Sequence, residues 1–166
     1  MKRKPNPLIT NNFIDSCAFD SKYEPEDRAS LEIFRLREED SLEVQIAHST
    51  QKEIDHPNTP AWVKREAQNL LFTIPVDLAP EEIDRLPRID TILAGNGKVE
   101  NTRPDARHVF EAQKYGKYFV TTDSRILKRA EELFRLCQVT ILKPSDFLSL
   151  VKHHLSGQQN DRPESC

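Results

Sequence analysis

Glycine is scarce in this chain, with four among 166 residues. Gly95, Gly97, Gly116 and Gly157 form no G-x-G-x-x-G fingerprint and no Walker loop, so a backbone cradle for nucleotide phosphates has no support. Cysteine is scarcer still. Cys17, Cys137 and Cys166 are an odd, sparse set that reads neither as a disulfide framework nor as a zinc cluster, which makes a reducing cytoplasm the expected setting. No apolar run approaches the ~20 residues that span a bilayer, so no membrane partner is expected. The start, MKRKPNPLIT, is basic but no apolar h-region follows it, so it does not read as a secretory signal. Ser16, Ser49 and Ser124 sit in no nucleophile elbow. The sequence has no internal repeats, and its formal charge of −3 decides nothing by itself.

A hydrophobic content of 37% with 31% charged residues places the chain among globular proteins. The length suits one domain, residues 1–155, with SGQQNDRPESC (156–166) expected as a disordered polar tail. NNFIDS reads as a buried strand ending near Asp15. YEPEDRASLEIFRLREED reads as a helix burying Ala29, Ile33 and Leu36, joined by Leu31 and Phe34. SLEVQIAHS alternates like a strand, and Ser49 is placed to cap a short turn that carries Glu53 and stops at Pro57. Thr59 and Pro60 open a helix with Trp62, Leu70 and Leu71 as core residues. APEEIDRLPRIDTILAGNG reads as a helix broken at Pro87, and Pro104 starts a helix that Gly116 ends. KYFVTT and VTILKP are strands. SRILKRAEELFRL is a helix turning Ile126, Leu127, Ala130 and Leu133 or Phe134 inward, and PSDFLSLVKHHL closes the chain. Strands alternating with helices of this length predict an α/β fold with a parallel sheet.

Four acids stand at element ends: Asp15, Glu53, Asp105 and Asp123. Taken singly, each has an ordinary structural role. Asp123 fits a helix N-cap, Asp105 a first-turn acid, Glu53 a solvated helix residue, and Asp15 an acceptor in a turn. Asp15 resists that reading, because Phe13, Ile14, Cys17, Ala18 and Phe19 surround it and a buried carboxylate needs a partner. In a parallel sheet ligands bind at the carboxyl ends of the strands, where Asp15 and Asp123 both fall. Carboxylates gathered there would make a pocket for hard divalent cations, a chemistry suited to phosphodiester hydrolysis. The pairs Glu53/His56 and Asp105/His108 have the spacing used in di-iron bundles, but Pro57 and at least three strands argue against long helices all round. Cys17 beside the acids is a poor nucleophile, because negative neighbours suppress its thiolate.

Assembled in order, FIDSCAFD, HSTQKEIDHP, PDARHVFEAQKYG with KYFVTTDSRIL, and ILKPSDFLSLV resemble the PIN-domain nucleases over about residues 11 to 151. The resemblance implies a PIN-like three-layer sandwich, a central parallel sheet of about five strands flanked by helices. It implies a Mg²⁺- or Mn²⁺-dependent endoribonuclease whose metal-site residues are Asp15, Glu53, Asp105 and Asp123, with Ser16, Thr121 and Thr122 as supporting hydroxyls. Cys17 and Arg125 depart from the family pattern, which often has a small polar residue and another acid or amide at these places. The expected partner is single-stranded or structured RNA, met by a rim of Arg103, Arg107, Lys114, Lys117, Arg125 and Lys128; a solvated helix face explains these cations equally well. Tyr115 and Tyr118 could stack on bases, although core or edge positions suit them better. An antitoxin protein and a second copy of the chain are further candidate partners. The competing classes are a catalytically silent PIN-like module that binds RNA or protein, and a DNA- or structure-specific nuclease.

Overall fold

The computed structural model of the chain describes residues 4–19, 23–72 and 78–160. The basic start through Arg3 and the tail from Asp161, with Cys166, lie outside the described residues. Four short strands form one parallel sheet: β1 (Asn12–Ile14), β2 (Val44–Gln45), β3 (Tyr118–Val120) and β4 (Thr140–Leu142), in the order β2-β1-β3-β4. Asn12 pairs with Val44 on one side and Tyr118 on the other, and Tyr118 pairs with Thr140. Eight α-helices are described: α1 (Glu26–Glu38), α2 (Gln51–Ile54), α3 (Ala61–Leu70), α4 (Arg85–Ala94), α5 (Arg103–Tyr115), α6 (Ser124–Leu127), α7 (Ala130–Cys137) and α8 (Pro144–Asn160).

Side chains alternate across a strand, so each strand feeds two cores. Phe13, Phe119 and Ile141 pack with Ile89 and Leu93 of α4, Val109 and Phe110 of α5, and Leu133 of α7. Ile14, Tyr118 and Val120 pack on the other face with Ile33 and Leu36 of α1, Leu70 of α3, and Phe147 and Val151 of α8. Helices therefore flank the parallel sheet on both faces, as expected for α/β crossovers. Buried Glu26 at the start of α1 ties that layer together by accepting hydrogen bonds from the Ser145 N–H at 2.9 Å and the Ser145 hydroxyl at 2.8 Å.

Several details differ from the sequence reading. The sheet has four strands among the described residues, where about five were expected. On the outer side of β2, Ile46 makes only an isolated parallel bridge to Leu71. Leu31 is 64% exposed because the buried stripe of α1 runs through Glu26, Ala29, Ser30, Ile33 and Leu36. Trp62, in the first turn of α3, is 46% exposed. Pro87 does not break α4. It lies in the first turn, where a missing N–H leaves no intrahelical bond unmade. The helix expected from Ser124 onward is two, α6 and α7, separated at Lys128 and Arg129, and Leu133 rather than Phe134 is the buried residue. α8 continues to Asn160, beyond the expected start of the tail.

Gly116 ends α5 where the chain enters β3. A Cβ there would lie 2.5 Å from the Asn11 carbonyl oxygen and 2.9 Å from Cδ2 of Phe13. Gly116→Ala is therefore expected to cost about 1–3 kcal/mol through overpacking. The measurement is a urea midpoint that falls with unchanged slope; an unchanged midpoint would refute the close approach.

Candidate metal centre and basic cleft

The strand order reverses between β1 and β3, the place where parallel sheets open a crevice at their carboxyl ends. Asp15 leaves β1 at this edge, with its N–H bound to the Val120 carbonyl at 2.8 Å. It is 7% exposed. Its Oδ2 accepts hydrogen bonds from the Thr121 hydroxyl at 2.8 Å and the Cys17 thiol at 3.2 Å. Thr121, just past β3, also accepts the Asp123 N–H at 3.0 Å. One buried hydroxyl thus links the first and last acids. Thr122 donates to the Cys17 carbonyl at 3.2 Å and holds the same loop.

Glu53 on α2 reaches the edge from a third segment. Its Oε2 accepts the Ser16 hydroxyl at 3.2 Å, and its Oε1 stands 3.6 Å from Nε2 of His108. Asp105 and Asp123 are bridged by Arg125, whose Nη2 lies 3.3 Å from Asp105 Oδ2 and 2.7 Å from Asp123 Oδ2. All four predicted acids and the three predicted hydroxyls therefore meet along one edge. They do so as a chain rather than around one point: Thr121 joins Asp15 to Asp123, Arg125 joins Asp123 to Asp105, and Glu53 stands apart on Ser16 and His108. Among the described residues no three His, Cys, Asp or Glu side chains stand together in a metal-holding group.

The electrostatics follow from these contacts. Burial raises the Asp105 carboxyl, Arg125 and His108 oppose the rise, and Asp15 and Asp123 add to it; the result is about 6. Burial also raises Asp123, but the hydrogen bonds and charge of Arg125 outweigh it and hold this carboxyl below its ordinary range. Asp123 is an N-cap as well, accepting the Arg125 N–H at 2.7 Å, so its ordinary role and its place in the cluster coexist. By type, these carboxylate oxygens are ligands that a hard divalent ion takes, and two of them already share a cation, Arg125.

Cys17 is exposed as a residue, yet its sulfur is packed against Asp15, Thr121 and Thr122. Burial and the Asp15 charge push its thiol up to about 11. Iodoacetamide at pH 8 is therefore expected to modify Cys17 on the order of 10²-fold more slowly than a free thiol. Mass spectrometry of the modified peptide would show this, and alkylation at the free-thiol rate would contradict it.

The predicted cationic rim divides. Its Arg125 and Lys128 line a cleft of about 540 Å³ with Asn101 and Thr102, joined by two cations not predicted for it, Lys98 and Arg129, the latter paired with Glu132 at 2.9 Å; the cleft adjoins Asp105 and Asp123 through Arg125. Arg107 is exposed on α5, and Arg103 is exposed with a loose contact to Asp90 at 3.8 Å. Lys114 instead binds Glu82 at 2.7 Å. Lys117 precedes β3 and so lies at the amino edge, opposite Asp123; its place in the rim is a correction imposed by the parallel strands. A second cleft of about 480 Å³, lined by Arg37, Glu38 and Glu43 among others, contains none of the four acids. Tyr118 is fully buried, and Tyr115 packs on Phe72 with ring centroids 4.9 Å apart, so both belong to the packing rather than to a base-stacking surface.

Sequence spacing misdirected one residue of this region and gave no role to another. His108 was paired there with Asp105, but the structure turns it to Glu53, while His56 accepts the Asn58 N–H instead. Glu111, fully buried, accepts the Ser49 N–H at 2.9 Å and so fixes the turn leading to α2. Ser49 is therefore no side-chain cap; its hydroxyl is buried without a partner. The available signal was the i, i+3, i+6 spacing of Asp105, His108 and Glu111 on a helix otherwise burying Ala106, Val109, Phe110 and Ala112. Compared with known proteins, the sequence matches no family model and no curated protein. None of the described helices is long and apolar enough to cross a membrane.

Proposed function

We propose that the chain is a PIN-like, Mg²⁺- or Mn²⁺-dependent nuclease that hydrolyses RNA. The observation that carries this reading is the delivery of Asp15, Glu53, Asp105 and Asp123 from four separate segments to the carboxyl edge of one parallel sheet. The cation-lined cleft beside them supplies the complementary half, a seat for the phosphates of a polyanion.

In this reading Asp15, Glu53, Asp105 and Asp123 would hold the metal. When bound, Mg²⁺ or Mn²⁺ supplies activation of the attacking water and charge neutralisation at the scissile phosphate. The protein's part is orientation. Thr121 holds Asp15 through Oδ2, Ser16 holds Glu53 through Oε2, and Arg125 holds the remaining pair until a phosphate or a metal competes for it. Lys98 and Lys128, with Arg129 once it leaves Glu132, would then keep the strand along the cleft by contacts to its backbone charge, a sequence-tolerant mode.

Arg125 also favours a second reading. A fixed cation between Asp105 and Asp123 is what a catalytically silent RNA-binding module would keep. The experiment that separates the two uses the purified full chain with labelled single-stranded and hairpin RNA and with DNA of the same sequences. Cleavage of RNA with Mg²⁺ or Mn²⁺, stopped by EDTA, is the expected result. Binding without cleavage under every metal condition selects the silent module, and preferential cleavage of DNA assigns the other nuclease class.

A further inference from the structure

His108 lies in the middle of α5, 2% exposed, and its Nε2 is buried with no hydrogen-bond partner. A buried polar atom left unpaired is costly, so such an atom in a native site calls for an occupant. Facing it is Glu53 Oε1 at 3.6 Å, beyond the 2.7–3.2 Å of an ordinary N–H···O bond. The other oxygen of Glu53 takes the Ser16 hydroxyl, which orients the carboxylate so that Oε1 is directed at the ring. Glu53 is partly open to solvent, so an ion can enter from that side.

The spacing has a second meaning. Nitrogen and oxygen donors bind a first-row divalent ion at about 2.0–2.2 Å, so two donors sharing one ion stand roughly 2.8–3.6 Å apart at right-angle to tetrahedral geometry. At 3.6 Å the Glu53–His108 pair stands at the outer end of that range. Imidazole nitrogen is also a donor that discriminates. It suits cobalt and zinc, whereas magnesium demands oxygen ligands and keeps its waters.

We propose that Glu53 Oε1 and His108 Nε2 form a mixed oxygen–nitrogen seat for a first-row transition ion at the acidic centre, so that the centre prefers such ions over Mg²⁺. The inference rests on the metal-centre reading above and specifies which ion that centre selects. Two protein donors and open positions leave room for a phosphate oxygen.

The test uses the full chain stripped with EDTA, with Co²⁺, Zn²⁺ and Mg²⁺ added separately and followed by thermal melting and by visible absorption for Co²⁺. Co²⁺ and Zn²⁺ are expected to raise the melting temperature at concentrations about tenfold or more below those needed for Mg²⁺. His108→Leu, which fills the space without a donor, is expected to abolish that preference and keep the Mg²⁺ response. Because a core histidine can be needed for folding, the wild type provides a second readout. The assigned His108 ring nitrogen should shift in a long-range ¹H–¹⁵N spectrum when Zn²⁺ is added. Equal responses to Co²⁺ and Mg²⁺, or an unmoved His108 resonance at saturating Zn²⁺, overturn the proposal and leave the acidic centre standing. No response to any divalent ion overturns both.

Discussion

Asp15→Asn is expected to reduce RNA cleavage by about 10²-fold or more while leaving the protein folded. Replacing even an outer partner of a metal ligand typically costs 10–100-fold, so neutralising a ligand sets that range as a floor. The fold should tolerate the change because an amide oxygen can still accept the Thr121 hydroxyl, now 2.8 Å from Oδ2. The backbone bond from Asp15 to Val120 is untouched, and β1 stays paired with β3. The variant therefore separates charge from shape. Glu39→Gln serves as control, since Glu39 lies at the exposed end of α1 in an ion pair with Arg35, worth little at the surface. Cleavage by Asp15→Asn protein at the wild-type rate would point to a contaminating nuclease and sink the assignment.

The sheet and its two flanking layers were legible in the sequence because they depend on local signals. Pro104 and Gly116 bracket α5, and alternating Leu42, Val44 and Ile46 mark the approach to β2. Parallel order then follows from the crossovers, and with it the edge at which Asp15 and Asp123 lie. Pairings within the site were not legible, because they depend on the relative rotation of elements far apart in the chain. His108 could have faced Asp105 by spacing alone, but the docking of α2 beside α5 presents it to Glu53. Arg125 shows the same limit. Sequence marks a cation after Asp123, whereas only the fold shows it spanning to Asp105, twenty residues earlier. Lys114 and Lys117 were placed in the rim by proximity in sequence, and α5 and β3 carry them elsewhere.

That Arg125 bridge bears on how the centre works. Two carboxylates at a crevice repel, and a tethered guanidinium relieves the repulsion in the absence of other cations. The relief is partial, because Asp105 still ends near 6. Asp123, gripped at both oxygens, takes most of the benefit. The unequal pair is therefore primed to gain from a second cation at Asp105.

Asp105→Asn should accordingly make the metal-free protein more stable and abolish the proposed nuclease activity. Lifting the Asp105 carboxyl from 3.8 to about 6 means that its charged form burdens the folded state at neutral pH, by about 1–2 kcal/mol once its partial exposure is allowed for. Since the folded pKa is raised, the folded state binds the proton more tightly between these two values. Stability from this group is thus greatest below the unfolded value and is lost as pH rises through about 6. Asparagine removes the cost and forfeits only a partly exposed contact with Arg125. A net gain of about 1–2 kcal/mol at pH 7.5, or about 3–6 °C in melting temperature, is expected. The gap should close toward pH 4, where Asp105 is protonated when folded and the two proteins become alike. RNA cleavage should fall by about 10²-fold in the same variant, because the charge that burdens the folded protein is the one that would bind the metal in the proposed nuclease. Paired melting curves at pH 4 and 7.5 with EDTA, alongside a cleavage assay with Mn²⁺, read both effects. A variant that is less stable at pH 7.5, or equally shifted at both pH values, would show that Asp105 is a structural acid whose burial strains nothing.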